Sequence, residues 1–201
     1  MAKLVAGDDG LPAEEVGPWA KEKHRYLLRY VDICRATRAK YISSGRAGAT
    51  YIDLFCGPGR AVVEGRGEWI DGSCVAAWKQ SLASKTPFST VYIADADEKR
   101  LGAAAERLRR VGAPVEVLNG SAIEAAHAVA RCVNRAGLHF AFLDPYSFGA
   151  LDFQIITDLA PLRIDLLIHI SQMDLQRNFD RNAHSLVDAV ELTRFGGRFA
   201  A

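Results

Sequence analysis

Five short apolar runs that alternate with helix-like stretches constrain the fold of this chain more than any other feature. They read YIDLF from Tyr51, VYIAD from Val91, VEVLN from Val115, FAFLD from Phe140 and DLLIHI from Asp165, with predicted helices between them at residues 73–84, 98–111, 123–136 and 153–160. Four of the runs are nearly continuous in apolar residues, as expected of central parallel strands that helices cover on both faces. Chain order and right-handed crossovers then predict an α/β fold: a Rossmann-like, doubly wound, mostly parallel sheet with strand order 3-2-1-4-5.

The chain before the first predicted strand divides into a leader and a helix. Residues 1–17 are rich in Gly, Asp and Glu, which predicts a flexible leader ahead of a single domain at residues 18–201. Apolar residues then recur at helical spacing, so residues 18–46 are predicted to form one N-terminal helix that covers the sheet. The α/β core follows at residues 50–201. Because the chain stops soon after the fifth strand, we expect further C-terminal strands to be abbreviated or missing.

A turn with two glycines follows the first predicted strand, in the run YIDLFCGPG at residues 51–59. Ligands of open α/β sheets bind beyond the carboxyl ends of the strands, and glycines there let backbone amides approach the ligand. Asp53 can accept a hydrogen bond from the ligand, and Gly57 and Gly59 would form the pocket floor. The pattern predicts a site for a nucleotide-like cofactor, while a glycine pair alone fits an ordinary loop equally well. The next segment, residues 60–71, is expected to be a loop that closes over the pocket.

Polar residues also follow the second and third predicted strands. Asp95, in the run YIADAD, can accept both hydroxyl groups of a ribose, and Asp97 is expected to cap the following helix. Capping is the alternative interpretation of Asp95. The turn of Asn119, Gly120 and Ser121 is placed to meet the edge of an adenine base. Ser73 and Ser121 can each cap the helix that begins beside them.

The triplet Asp144-Pro145-Tyr146 ends the fourth predicted strand. A carboxylate and a backbone carbonyl held by proline can accept two hydrogen bonds from an amino group, which directs the nitrogen lone pair at an electrophile. Tyr146 or Phe148 can stack on the ring that bears the amine. An isolated Asp-Pro pair is more often a plain strand terminator, but its place beside the cofactor turn favours methyl transfer to an amino nitrogen. Such transfer needs little acid or base help, so His169 is expected to be a rim or core residue and not a base.

Several motifs occur in a combination that resembles a known family. They are a W-x-x-x-K-H pattern of Trp19, Lys23 and His24, then DLFCGPG, Gly72-Ser73, the pair Asp95 and Asp97, and DPY followed by Gly149. In this order they resemble the class I S-adenosylmethionine-dependent methyltransferases, and within that class they look most like the three-Cys-motif partner proteins. The resemblance extends from about residue 19 to about residue 180. Ser121 departs from the pattern, since many methyltransferases have an acidic residue there.

The resemblance implies an S-adenosylmethionine pocket and a site for a methyl acceptor. The residues implied for the cofactor are Asp53, Phe55, Cys56, Gly57, Gly59, Asp95, Asn119 and Ser121, and those implied for the acceptor are Asp144, Pro145 and Tyr146. The expected function is methylation of an amino nitrogen of a nucleic-acid base. The alternative is a non-catalytic, cofactor-binding subunit that docks onto a partner protein with a three-cysteine motif.

Charge and composition restrict the partners. With 25 basic and 24 acidic residues, the formal net charge is +1, so no global field draws the chain to nucleic acid or to an anionic membrane. The segment from Lys21 to Arg46 has a local charge of 8 − 2 = +6, which fits either a solvated helix face or a surface that contacts nucleic-acid phosphates. The four cysteines show no CxxC spacing, so neither a metal site nor a disulfide framework is predicted. No apolar run is long enough to span a membrane, and we expect a cytoplasmic protein.

The sequence argues against two other enzyme classes with similar turns. A methyltransferase that attacks the cytosine ring carbon needs a nucleophilic cysteine after the fourth strand, where this chain has Asp144-Pro145-Tyr146. A nicotinamide-dependent dehydrogenase needs G-x-G-x-x-G and an acid about 20 residues further on. Here Phe55 takes the first glycine position, and Asp95 follows Gly57 by 95 − 57 = 38 residues.

Overall fold

The structure, a computed structural model, describes residues 2–43 and 46–170. Its N-terminal part contains strands β1 (Leu4–Ala6) and β2 (Pro12–Val16) and helices α1 (Trp19–Ile33) and α2 (Arg35–Ile42). Next come β3 (Ala49–Asp53), β4 (Arg60–Val63), β5 (Glu68–Asp71) and α3 (Ser73–Ala83). The chain then alternates through β6 (Thr90–Ile93), α4 (Glu98–Arg110), β7 (Val115–Val117), α5 (Ala122–Cys132), β8 (Leu138–Leu143), α6 (Phe153–Leu159) and β9 (Ile164–Ile168). Within the described ranges, no helix combines the length and the apolar character needed to cross a membrane.

The five predicted strands form one parallel sheet. Its order is β7-β6-β3-β8-β9, and each neighbouring pair is parallel. Counted along the chain, these strands stand in the order 3-2-1-4-5, so the predicted Rossmann-like topology is confirmed, with the reversal of strand order beside β3. The four helices predicted between the strands also form. The expectation that further strands are abbreviated or missing concerns residues 171–201, which lie outside the described ranges.

Two apolar cores cover the two faces of this sheet. On one face, Tyr51 packs with α1, α3 and α4, and its ring centroid lies 5.5 Å from that of Phe88 and 5.7 Å from that of Phe140. On the other face, Ile52 and Leu54 pack with residues of α5 and α6. Successive strand residues point to opposite faces, so β3 contributes to both cores and is buried throughout. Burying one large apolar side chain stabilises the fold by about 1.5–3 kcal/mol, which makes the end of β3 a rigid support for a site.

The described part of the expected flexible leader, residues 2–17, is instead part of a second sheet. Strand β1 pairs antiparallel with β2, β2 pairs parallel with β4, and β4 pairs antiparallel with β5. Arg107 of α4, only 5% exposed, fixes this sheet to the core. Its guanidinium donates to both carboxylate oxygens of Asp9 (2.6 and 2.7 Å) and to the carbonyls of Pro12 and Pro58 (2.6 Å each). The hydrogen bonds from Arg107 lower the pKa of Asp9 to about 2.

Residues 60–71 form the β4–β5 hairpin and not the expected loop. Strand β4 lies between β2 and β5, so its backbone groups find partners on both sides. Arg60 donates to the Asp8 carboxylate (2.6 and 3.0 Å) and to Asp71 (3.0 Å). These pairs join the hairpin to the turn between β1 and β2, so the segment is a fixed part of the second sheet.

The predicted N-terminal helix is divided into α1 and α2 at Cys34. Arg35 donates to the backbone carbonyl and to the carboxylate of Asp32 (3.2 and 2.8 Å), which provides a partner at the end of α1. Arg38 of α2 is buried and donates to the Thr86 carbonyl (2.6 Å) and to the Val31 carbonyl (2.8 Å). Because the chain turns at Cys34, the Arg38 guanidinium enters the core. A single straight helix would place it elsewhere.

Candidate functional site

The carboxyl ends of β3, β6 and β8 lie side by side, and each is followed or ended by one of the predicted aspartates. Asp53 ends β3, Asp95 is the second residue after β6, and Asp144 comes directly after β8. The Gly57 amide donates to Oδ2 of Asp95 (2.9 Å), which joins the turn after β3 to the end of β6. Burial and, to a smaller extent, the negative charge of Asp144 raise the pKa of Asp53. We call this region, together with the turn at residues 54–59, the rim site.

The sequence suggested that Asp53 contacts the ligand, but its side chain lies inside the protein. Its side chain has no exposed surface, and Oδ2 accepts hydrogen bonds from the Ser73 hydroxyl (2.6 Å) and the Tyr51 hydroxyl (3.1 Å). Burial raises its pKa from 3.8 to about 7, against the opposing effect of these hydrogen bonds. Gly72 is the N-cap of α3, so the predicted cap at Ser73 is wrong, and the Ser73 hydroxyl serves Asp53. Asp53 therefore supports the turn at residues 54–59 from the interior of the protein.

The two glycines of the turn have backbone conformations that favour glycine. Gly57 and Gly59 have φ values of +57° and +78°, in the left-handed region that favours glycine. A Cβ on Gly59 would lie 3.2 Å from the Cα of Ala104, so the turn packs closely on α4. The thiol of Cys56 is buried and donates to the Gly57 carbonyl (3.3 Å), and Phe55 packs against the core on the α5 and α6 side. Cys56 and Phe55 thus support the turn by packing.

Asp95 binds backbone amides with both carboxylate oxygens. Oδ2 accepts from Gly57 and Oδ1 accepts from Asp97 (2.9 Å each). Asp97 caps α4, as predicted, by accepting from the amides of Lys99 (2.8 Å) and Arg100 (3.2 Å). A carboxylate has about four lone-pair positions, so the half-buried Asp95 keeps capacity for the hydroxyl groups of a ligand.

Asn119 and Ser121 lie further along the same edge. Ser121 is the N-cap of α5, as predicted, in a capping box: it accepts from the Glu124 amide (3.3 Å), and its own amide donates to the Glu124 carboxylate (2.7 Å). The Ser121 hydroxyl also donates to Glu124 (2.9 Å). Asn119 is exposed. A role for Ser121 at a cofactor therefore competes with its capping bonds, whereas the Asn119 amide faces solvent.

Two basic side chains hold the Asp144 carboxylate. Lys23 of α1 forms a salt bridge with Oδ2, and Nδ1 of His169, just beyond β9, lies 2.7 Å from Oδ1. Burial acts to raise the pKa of Asp144, but the hydrogen bond from His169 and the charge of Lys23 outweigh it, so the pKa lies below its ordinary value. Of the two predicted placements of His169, rim or core, the structure shows the rim. Beside this group, Pro145 is half-buried and Tyr146 is 64% exposed, so its ring is accessible to a planar ligand.

Charged residues from the N-terminal part of the chain complete the rim site. Glu14 of β2 lies over the glycine turn: a Cβ built on Gly57 would be 3.2 Å from Glu14 Oε1. Glu14 Oε2 accepts from Arg100 of α4 (2.8 Å). Burial and the charge of Lys23 lower the pKa of His24 to about 4, so its ring is neutral at pH 7. The sequence reasoning missed Glu14 and Arg100, because β1 and β2 have only three and five residues and give little strand signal.

The rim site contains more acidic than basic side chains. Its accessible carboxylates belong to Glu14, Asp95 and Asp144, and its cations to Lys23 and Arg100, whereas Asp53 is buried and its pKa is about 7. The excess of carboxylates suits a ligand with positive charge. In the part of the chain that the structure describes, no group of three or more His, Cys, Asp or Glu side chains is arranged to hold a metal ion.

A small cavity lies away from the rim site, at the amino ends of β3 and β8. Its volume is about 20 Å³, which is room for roughly one water molecule. Tyr30, Arg38, Phe88, His139 and Phe140 are among its lining residues. It is too small for a nucleoside.

Most of the basic side chains between Lys21 and Arg46 are engaged within the chain. Lys21 pairs with Glu68 and Lys23 with Asp144, which lowers the local charge from +6 to 6 − 2 = +4. Arg25 pairs with Glu22 in α1, and Arg35 pairs with Asp32 at the end of α1. Arg38 is buried. Arg29, Lys40 and Arg46 are exposed. Nucleic-acid binding by this segment stays a prediction, and these three residues are the ones that could provide it.

Comparisons with known proteins give a likeness of fold. No protein-family model matches this chain, and no curated protein matches it. Among solved structures, the crystal structure of TrmN from Thermus thermophilus is similar with a TM-score of 0.39 and 23% identity over 72% of this chain. The chain spans 37% of the length of TrmN. At this TM-score the likeness supports no functional argument, so the function rests on the rim site.

Proposed function

We propose that this chain is an S-adenosylmethionine-dependent methyltransferase that acts on an amino nitrogen of a nucleic-acid base. The observation that supports the proposal is the meeting of three strand ends at the rim site, with the glycine turn and Asp95 on one side and Asp144 on the other. In a Rossmann-like sheet the ligand binds where the strand order reverses. Here that point lies beside β3, between these two groups.

The rim site has groups that suit each part of S-adenosylmethionine. Asp95 retains lone pairs for the ribose hydroxyls, and Asn119 is exposed near the expected position of the base. The excess of carboxylates suits the sulfonium and ammonium groups, and Lys23 suits the carboxylate of the amino-acid half. When bound, the cofactor supplies a methyl group on a positively charged sulfur. Asp53 contributes by fixing the turn through its bonds with Tyr51 and Ser73.

Asp144, the Pro145 carbonyl and Tyr146 are the proposed acceptor groups. Lys23 and His169 each engage one oxygen of Asp144, and only 18% of the carboxylate side chain is exposed, so one of these two partners must move to let an amino group reach it. Lys23 is the better candidate to move, since its charge sits on a flexible four-carbon stem and the carboxylate of the cofactor offers it another partner. The exposed Tyr146 ring can then stack on the base that bears the amine.

We propose the three-Cys-motif partner proteins as the family. Lys23 belongs to the W-x-x-x-K-H pattern and Asp144 to DPY, and these residues, 121 positions apart, form one salt bridge. That contact supports the view that the two motifs build a single site. A partner protein with a three-cysteine motif is part of this proposal.

A non-catalytic, cofactor-binding subunit is the second candidate. It is favoured by one observation: both oxygens of Asp144 already have basic partners and only 18% of its side chain is exposed, so an acceptor has little access to it in the structure. In this alternative, Lys23 and His169 keep Asp144 as a structural group, and the cofactor binds without turnover.

Transfer of a labelled methyl group separates the two candidates. The parent chain, Asp144→Ala and the control Asp152→Asn are incubated with labelled S-adenosylmethionine and with RNA, DNA or cell extract. Asp152 caps α6 by accepting from the Gln154 amide, and asparagine is an equally good cap. We expect incorporation by the parent and by Asp152→Asn, and a loss of about 100-fold in Asp144→Ala with cofactor binding retained. Binding by the parent without any incorporation would favour the non-catalytic subunit, and absence of binding would contradict both.

A further inference from the structure

We propose that Glu14 is a ligand-binding residue of the rim site, and that its Oε1 accepts a hydrogen bond from the ammonium group of the cofactor's amino-acid half. The inference rests on the proposed function, because it assigns a residue to the same ligand. It adds a specificity determinant from the N-terminal sheet, outside the parallel sheet that forms the rest of the site.

The position of Glu14 is the first support for this inference. Strand β2 runs beside the glycine turn, and Oε1 of Glu14 lies 3.2 Å from the point where a Cβ on Gly57 would stand. A side chain on Gly57 would therefore meet this carboxylate. Because Gly57 has no side chain, the Glu14 carboxylate lies directly against the turn, next to the place where the cofactor is expected to bind.

The partners of Glu14 are the second support. Oε2 accepts from Arg100 (2.8 Å), and Arg100 is itself held by the backbone carbonyl of Ala2. Among residues 2–43 and 46–170, Oε1 accepts no hydrogen bond. A carboxylate with one paired and one unpaired oxygen, 23% exposed, can take a further donor at Oε1 without losing its bond to Arg100.

The surroundings of Glu14 indicate which donor it takes. Burial is the main effect on Glu14 and raises its pKa, and the nearby charges of Arg100, Lys23 and Asp144 act on it as well. A cationic donor would offset the cost of burying the carboxylate. An amino acid has an ammonium and a carboxylate on one carbon, and the rim site offers Glu14 and Lys23 as groups of opposite charge. Glu14 then binds the ammonium while Lys23 binds the carboxylate.

The fixed position of β2 preorganises Glu14 for binding the ligand. Arg107 joins the Asp9 carboxylate and the Pro12 carbonyl to the carbonyl of Pro58 in the glycine turn. Glu14 pairs in register with Ala61 of β4. The strand that bears Glu14 and the turn that it covers are therefore held in one frame, so little ordering is required when the ligand binds.

The test compares two ligands that differ in the amino-acid half. S-adenosylhomocysteine has the ammonium and carboxylate groups, whereas 5′-methylthioadenosine is the same nucleoside thioether without them. Calorimetric titration gives the affinity of each ligand for the parent, for Glu14→Gln and for the control Glu15→Gln. Glu15 is the next residue on β2, so its side chain points to the opposite face of the strand.

We expect Glu14→Gln to lower the affinity for S-adenosylhomocysteine by about 10-fold or more, as for a lost hydrogen bond to a charged group. The affinity for 5′-methylthioadenosine should change by less than about twofold. Glu15→Gln should match the parent for both ligands. Equal losses for the two ligands, or no loss for either, would overturn the inference while leaving the proposed function in place. If the parent binds neither ligand, the proposed function falls and the assignment of Glu14 falls with it. Retained affinity for 5′-methylthioadenosine shows that Glu14→Gln is folded.

Discussion

The pH dependence of stability should reveal the buried state of Asp53. In the folded chain this carboxyl has no exposed surface and its pKa is about 7, whereas its ordinary value is 3.8. Between these values the folded state holds more protons than the unfolded state, so the free energy of unfolding falls as the pH rises. Asp53→Asn removes this titration while keeping the size of the side chain.

The expected size follows from the two pKa values. Their difference corresponds to about 4 kcal/mol, which the parent loses between about pH 4 and pH 7. The asparagine variant does not lose it. The free energy of unfolding of Asp53→Asn, minus that of the parent, should therefore increase by about 4 kcal/mol from pH 4 to pH 8 and level off above pH 7. Because Asp53 is fully enclosed, solvent screening reduces this value little.

Urea unfolding followed by circular dichroism, at several pH values from 4 to 8, measures this difference. Asp9→Asn is the matched control. The Asp9 pKa is lowered to about 2 by Arg107, so its contribution to stability is present above pH 4 and is lost only as the pH falls towards 2. The difference between Asp9→Asn and the parent should be constant over the measured range. A constant difference for Asp53→Asn, or one that decreases as the pH rises, would refute the buried, protonated state of Asp53.

Two further predictions concern the parts that frame the rim site. Arg107→Met should lower the free energy of unfolding by about 3 kcal/mol in urea titrations, because it leaves Asp9 and the carbonyls near the turn without their donor. A loss below about 1 kcal/mol would show that the second sheet does not depend on this residue. Gly72→Ala should destabilise the chain by about 1–3 kcal/mol, since the new Cβ would lie 2.7 Å from the Cα of Gly59. Gly102→Ala is the control: it is in the middle of α4 with nothing within 4 Å, and it should stabilise the chain by up to about 1 kcal/mol. Equal effects of the two alanines would contradict the close packing at Gly72.

The sheet and its order could be predicted because each strand is encoded locally. Residues 140–143 of strand β8, for example, form an uninterrupted apolar run, and chain order with right-handed crossovers allows few arrangements of five such strands. The caps at Asp97 and Ser121 were predictable for the same reason, since a cap bonds to amides two or three residues away. Features of this kind depend on residues close in sequence, so contacts with distant parts of the chain do not change them.

The parts that could not be predicted depend on contacts between distant residues. Strand β2 is stabilised by pairing with β4 and by Arg107, and neither partner is recognisable from the run PAEEV. The environment of Asp53 is set by Ser73, 20 residues away, and that of Asp144 by Lys23, 121 residues away. The sequence therefore indicated which aspartates meet at the rim but not which of their oxygens are already engaged.

Calorimetric titration of the chain with S-adenosylhomocysteine tests the central claim, that the ends of β3, β6 and β8 form one cofactor site. The parent, Asp95→Ala and the control Asp97→Asn, which keeps a capping side chain, are compared under the same conditions. We predict binding by the parent and by Asp97→Asn, and an affinity lower by about 10-fold or more in Asp95→Ala, since a carboxylate that accepts ribose hydroxyls is removed. No binding by the parent, or the same affinity in all three proteins, would contradict the account.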